Sequence, residues 1–169
     1  MKKFVVLSGA FLLFYSGLWA QMAFVDTKYI LGKMPDYGDS VAKINHQAAL
    51  WQKEIDDRQA GLDIMTVDFQ RDEPMLSDSI KKNRTDAIFD AEKSLHTLQR
   101  TRFGYQGDLS KMNDSLLGPL KKRVDDAIQV VATRLGYKVV LDKSEGLTVL
   151  YCKPDLDISE EVMKETGIK

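Results

Sequence analysis

The chain has 169 residues, with 24 Lys and Arg against 25 Asp and Glu, 44% hydrophobic residues and one cysteine. That length suits one domain of ordinary size, and the apolar content excludes a wholly disordered polymer. The near-balance of charge argues against an obligate nucleic-acid binder, and a single cysteine excludes an internal disulfide or a cage of zinc thiolates.

Lys2 and Lys3 precede an apolar run from Phe4 to Phe14, and small residues follow up to Ala20. This is the order of a secretory signal peptide covering residues 1–20, cleaved near Ala20. The run is shorter than the ~20 residues that span a bilayer. Cleavage leaves 22 basic and 25 acidic residues, a net charge of −3, in a compartment outside the cytoplasm. No ATP is expected there, so any activity runs on binding energy. Cys152, beside Tyr151 in an apolar run, reads as a small buried hydrophobe.

Met22 to Asp26 is strand-like, and Tyr29, Ile30 and Leu31 suggest one helical turn closed by Gly32 and Met34-Pro35. From there the period changes. Apolar residues fall at Tyr37, Val41, Ile44, Ala48, Trp51, Ile55, Leu62, Met65 and Phe69, with Arg58 in the missing place. Alternating steps of four and three give a repeat of about 3.5 residues, the signature of a coiled coil. A helix from Asp36 to Asp72 would be roughly 55 Å long. Pro74 breaks it, and Ser77 is a suitable N-cap for the next helix. The seam resumes at Ile88, Ala91, Leu95, Leu98, Tyr105, Leu109, Met112 and Leu116, with Arg102 in the odd place. Two such helices joined by a short loop predict an antiparallel hairpin over residues 36–117, with Tyr37 opposite Met112 and Ile55 near Leu95. Gly104 and Gly107 in the returning arm read as a hinge or as points of close packing.

Gly118-Pro119 is expected to interrupt the second helix, which resumes through Val124, Ala127, Ile128, Val131 and Leu135 and stops at Gly136. Residues 137–142 and 147–151 predict a β-hairpin around the turn 143–146, and Asp157 or Ser159 caps a last helix over 160–165. Phe24, Val139, Leu141, Val149 and Tyr151 are the apolar contributors to this assembly body, formed by residues 21–35 and 118–169. A few short strands and one helix make a marginal core with open edges. The expected fold class is therefore α+β: a long antiparallel coiled-coil hairpin projecting from a small β-sheet body that assembles as a trimer.

This order of parts, over the whole mature chain, resembles the Skp (OmpH-like) family of periplasmic chaperones. The residues that carry the likeness are Met22-Ala23-Phe24-Val25-Asp26, Pro119 with the helix to Gly136-Tyr137, Val139 to Ser144, Val149-Leu150-Tyr151, and Asp155 to Ser159 with the helix holding Val162. The resemblance implies a jellyfish-shaped homotrimer in the periplasm. A β-body would carry three helical tentacles around a cavity that holds unfolded outer-membrane proteins without ATP. The best-known members are strongly basic, whereas this mature chain is mildly acidic, so no lipopolysaccharide-binding residue is carried over and membrane contact stays open.

A holdase needs accessible apolar surface. Leu50, Ile64 and Val67 on the first arm and Phe89 and Phe103 on the second lie off the seam, and Met75 and Leu76 lie at the tip. These are the candidate client-binding residues. Lys81, Lys82 and Arg84 form a small basic cluster near the tip, read as a solvated helix face. An enzyme is disfavoured: His46 and His96 lack partners at ligand spacing, Asp155 and Asp157 read as a turn and a cap, and there is no phosphate-binding glycine loop. No catalytic residue, metal or cofactor is expected. The alternative function is a coiled-coil scaffold of the cell envelope, which the same seam would serve.

Overall fold

The computed structural model describes residues 22–144, 146 and 148–168, so the expected signal segment lies outside the described residues. Strand β1 is Met22–Val25, and helices α1 and α2 are Thr27–Lys33 and Pro35–Asp72. A single 3-10 turn, Glu73–Met75, leads to α3, Asp78–Phe103, and α4, Asp108–Leu135. Strand β2 is Val139–Asp142, and the chain ends with a 3-10 turn, Pro154–Leu156, and α5, Ser159–Glu165. These elements form two compact units, one made of the chain ends up to Ile30 and from Val124, the other of Leu31–Arg123.

The second unit is the helical hairpin. Pro35 opens α2 at a position where its missing N–H costs nothing. Ile55, Leu62 and Leu95 form a buried cluster against which Ile88, Ala91 and Leu98 pack, so the arms meet in the register expected from the heptads. Away from the seam, Lys53–Asp57 and Lys82–Asp86 pair at 2.8 and 2.6 Å along single helices, and Arg58, in the seam's odd place, pairs with Glu54 at 3.1 Å. At the tip, Arg84 Nη1 donates to Asp72 Oδ2 at 2.9 Å, joining α3 to the end of α2. Ser77 occupies the N-cap position of α3, but its hydroxyl lies 3.2 Å from that of Ser79 and makes no capping bond.

Three seam expectations are corrected. Tyr105 is 95% exposed, because the returning arm breaks at residues 104–107 and Tyr105 lies in that break. Met65 is also exposed, at the rim of the seam. Pro119 does not interrupt a helix: α4 runs through it without a stop. A proline inside a helix costs about 3 kcal/mol. The partly buried Leu116 before it and the buried Val124, Ala127 and Val131 after it keep the same helix committed to packing on both sides.

In the first unit β1 and β2 pair in parallel, with Met22, Ala23, Phe24 and Val25 opposite Val139, Val140, Leu141 and Asp142. On its other side β1 bridges Asp157, and Ile158 N–H donates to Phe24 O at 2.9 Å. β1 is therefore the central strand. Ala23, Val25, Ile30, Val124, Ala127, Val131, Ile158 and Val162 are this unit's buried apolar residues. Gly136, at φ 75°, ends α4, and Tyr137 N–H returns to Ala132 O at 2.9 Å. That left-handed turn is cheap only for glycine.

The expected β-hairpin is corrected. Residues 148–153 are irregular, and β2 pairs with β1 instead. Leu150 is 95% exposed and Tyr151 is exposed as well, so these two apolar side chains are left largely uncovered, while Val149, in the middle of the expected second strand, is half-buried. Cys152 is half-buried in the same stretch, not fully enclosed, and its thiol leans on the Lys153 carbonyl.

The seam's thinness sets its sensitivity. Leu95→Ala is expected to lower hairpin stability by about 2–4 kcal/mol, the usual range for a buried leucine. Thermal unfolding followed by far-ultraviolet circular dichroism checks it, with Thr97→Ala, on the exposed face, as the near-neutral control.

Candidate functional site: exposed apolar side chains of the hairpin

The heptad seam takes one stripe of each arm, and the opposite stripe faces solvent. Leu50, Ile64 and Val67 on α2 lie about a third of a turn or more from the line through Ile44, Ile55 and Leu62, and Phe89 lies about a third of a turn from Leu95 on α3. All four are exposed, Ile64 by 62% and Phe89 by 63%. Met75 at the tip is exposed too, and its neighbour Leu76 is half-buried. Phe103 is the least exposed of the arm residues, because its ring meets Trp51 edge-on at 6.5 Å between centroids.

Sequence reasoning missed Ile80, Met65 and Tyr105, all exposed on the hairpin. Ile80 sits in the first turn of α3, before the seam pattern becomes regular. The other two fall at seam positions by periodicity. The resulting apolar groups are spaced along both arms, with Ile64 and Val67, three residues apart on α2, as same-face neighbours.

The surrounding surface is charged but internally balanced. Near the tip Lys82 pairs with Asp86, and Arg71 with Asp68 at 2.9 Å. Hydrogen bonds from Arg84, then Arg71, hold the Asp72 carboxyl below its ordinary value. The cluster of Lys81, Lys82 and Arg84 is thus largely matched by carboxylates. No group of side chains suited to a metal ion occurs among the described residues. No described helix is long and apolar enough to cross a membrane.

The body unit shows a different surface. Val139 and Tyr151 are exposed, and Phe24, Leu141 and Val149 are half-buried. The outer edge of β2 has no strand partner among the described residues. An open cleft of about 730 Å³ is lined by Tyr29, Lys143, Leu150, Tyr151, Asp157 and Glu160, among others. Below it a polar network ties the strands to α5. Lys143 Nζ donates to Asp157 Oδ2 at 2.5 Å, the Ser159 hydroxyl donates to Asp157 Oδ1 at 2.6 Å, and Asp26 N–H donates to that hydroxyl at 2.9 Å. On the other side of β1, Thr27 Oγ1 and the Ser144 N–H donate to the Asp142 carboxylate. The N-cap position of α5 is Ile158, which makes no side-chain capping bond, so neither Asp157 nor Ser159 is the expected cap, although Asp157 Oδ1 accepts from Ser159 N–H at 3.1 Å.

The chain matches the family described as outer membrane protein (OmpH-like) over residues 21–165. It belongs to the OmpH-like family. It is similar to a chaperone protein, Skp, from Yersinia enterocolitica, with 23% identity over 146 residues that cover 86% of this chain and 85% of the relative. Its fold is similar to a crystal structure of an OmpH-like outer membrane chaperone from Caulobacter crescentus, at a TM-score of 0.64 and 13% identity, covering 89% of this chain and 85% of the other. The family match takes in both the hairpin and the body.

The body network has a pH signature. Burial pushes Asp142 and Asp157 up, but their hydrogen bonds, from Thr27 and Ser144 and from Lys143 and Ser159, outweigh it and leave both below the ordinary carboxylate value. Carboxyls depressed in the folded state stabilise it fully above their unfolded value of about 3.9, and that stability is lost as pH falls through the lower folded value. Lys143, raised mainly by its bond to Asp157, keeps its charge throughout that window. Thermal unfolding from about pH 5 down to about pH 2 should show a falling midpoint. Asp157→Asn should start lower and fall less steeply.

Proposed function

We propose that this chain is an ATP-independent holdase chaperone of the periplasm, exported by a signal peptide that is cleaved near Ala20, that binds unfolded outer-membrane proteins and prevents their aggregation. The observation that carries the reading is the set of apolar side chains turned away from the hairpin seam on an otherwise charged and ion-paired surface. The family match and the Yersinia chaperone support it.

The mechanism follows from the geometry. Leu50, Ile64, Val67, Phe89 and Phe103 on the arms and Met75 at the tip offer separate apolar contacts, each too small to bind a chain alone. Fully burying one such side chain is worth about 1.5–3 kcal/mol, and a glancing contact earns less. An unfolded polypeptide that touches several at once gains from their high effective concentration, yet each contact breaks readily. Met75 adapts its shape because its side chain is unbranched. Binding of this kind is broad, reversible and independent of nucleotide.

The working form in this reading is a homotrimer. Its support is the edge of β2 without a strand partner among the described residues, and the exposed Leu150 and Tyr151. Phe24, Val139, Leu141, Val149 and Tyr151 form the assembly surface, and three hairpins then enclose a sheltered space for the client.

Two measurements test this. Light scattering of the mature chain should give three times the monomer mass, and a monomer at micromolar concentration would remove the sheltered space. Replacing Leu50, Ile64, Phe89 and Phe103 together with Ser should leave that mass unchanged and weaken suppression of aggregation of several urea-denatured β-barrel proteins by about tenfold or more, on the scale of ~1.4 kcal/mol of lost contact. Undiminished suppression by the quadruple variant would overturn the contact assignment. A wild-type protein that leaves every denatured client to aggregate would favour an envelope scaffold.

A further inference from the structure

The hairpin's returning arm is not one helix. It stops at Phe103 and restarts at Asp108, while the outgoing arm α2 runs unbroken past the same point. The break has a defined conformation. Gly104 leaves the helix at φ −69° and ψ 172°, and its N–H still reaches Arg100 O at 2.9 Å. Gln106 is left-handed at φ 54°, an uncommon state for a residue with a side chain. A Cβ on Gly104 would lie 2.3 Å from Arg100 O. One on Gly107 would lie 2.8 Å from Thr101 O and 2.9 Å from Gly104 O. Backbone oxygens crowd both positions, so only glycine fits without movement.

Arg102 stands just before this break at a seam position, where the heptad asks for an apolar side chain. Its Nη1 donates to Asp108 Oδ2 at 2.6 Å, across the break, and its Nη2 reaches Glu54 Oε2 at 3.5 Å, across to α2. The guanidinium also lies 5.1 Å from the centre of the Trp51 ring, against which Phe103 packs edge-on. Its Nε is buried without a hydrogen-bond partner. A leucine there would avoid that unmet donor and fill the seam. What a leucine could not do is hold three segments of chain at one point. The planar, forked guanidinium can, since it meets two carboxylates and an aromatic face together.

We infer that residues 104–107 are a joint in the hairpin and that Arg102 is the positioning residue that latches it, tying the end of α3 to the start of α4 and to α2. With the latch closed the break keeps its single geometry. With it open the helices on either side are connected only by the glycine turn and by α2, which can bend gently along its length. The inference concerns the hairpin's own mechanics and stands whether or not the holdase reading does.

Hydrogen exchange on the full mature chain, resolved by peptide mass spectrometry, tests it. Arg102→Leu should speed exchange over residues 104–111 by about tenfold, a local opening, while the peptides around Leu62 and Leu95 stay as protected as before or become more so. Slower or unchanged exchange over 104–111 in that variant would mean that Arg102 only fills the seam, and would overturn the latch. Should Arg102→Leu fail to fold, two measurements remain. Arg102→Lys keeps the charge but cannot engage both carboxylates and the ring, so exchange over 104–111 should again rise. In the wild-type chain, about 0.5 M NaCl should raise it too, by screening the partly exposed pairs. No change in either would refute the latch.

Discussion

The parallel pairing of Met22–Val25 with Val139–Asp142 is the constraint on which the rest depends. Parallel strands cannot be joined by a tight turn, so the chain between them must travel out and come back. Here the connection is long, and it is spent on α2 and its return through α3 and α4. Because β1 also bridges Asp157, the same four residues bring the last helix onto the strand. One short strand at the start of the described chain thus organises more than a hundred residues that follow.

A hairpin of two helices buries only one stripe of each. Ile55, Leu62 and Leu95 are nearly closed off, and most other apolar side chains of the arms are half or fully exposed. In a monomeric enzyme such a surface would be a liability. Under the holdase function proposed above, it is the part that meets the client. Interspersed ion pairs such as Lys53–Asp57 and Lys82–Asp86 stand among its apolar side chains and keep the surface wet. The balance between a seam strong enough to hold the arms and faces apolar enough to be useful is set by where each residue falls in the heptad.

Polar residues do the structural tying where the apolar core is thin. In the body, Asp157 and Asp142 gather hydrogen bonds from Lys143, Ser159, Thr27 and Ser144 and join three elements to β1. In the hairpin, Arg102 joins α2, α3 and α4. Both networks compensate for the small amount of apolar area that short strands and paired helices can bury.

By itself the sequence determined the hairpin. The alternation of three and four between apolar residues is a local property of each helix, and it specified the arms and their register near Ile55 and Leu95, while Pro74 and Gly136 marked the turn and the stop by their own backbone restrictions. The off-seam position of Leu50, Ile64, Val67 and Phe89 followed from the same periodicity. Tertiary structure alone decided which strand pairs with which. Residues 147–151 carry strand-like composition, yet β2 found its partner at the other end of the chain, because pairing is a choice among distant segments and composition does not encode the choice. It also decided that α4 would run through Pro119 while the arm breaks at Gly104–Gly107. A proline's local cost can be outweighed by burial on both sides of it, whereas a Cβ overlapping backbone oxygens at 2.3 Å cannot be accommodated without moving the chain.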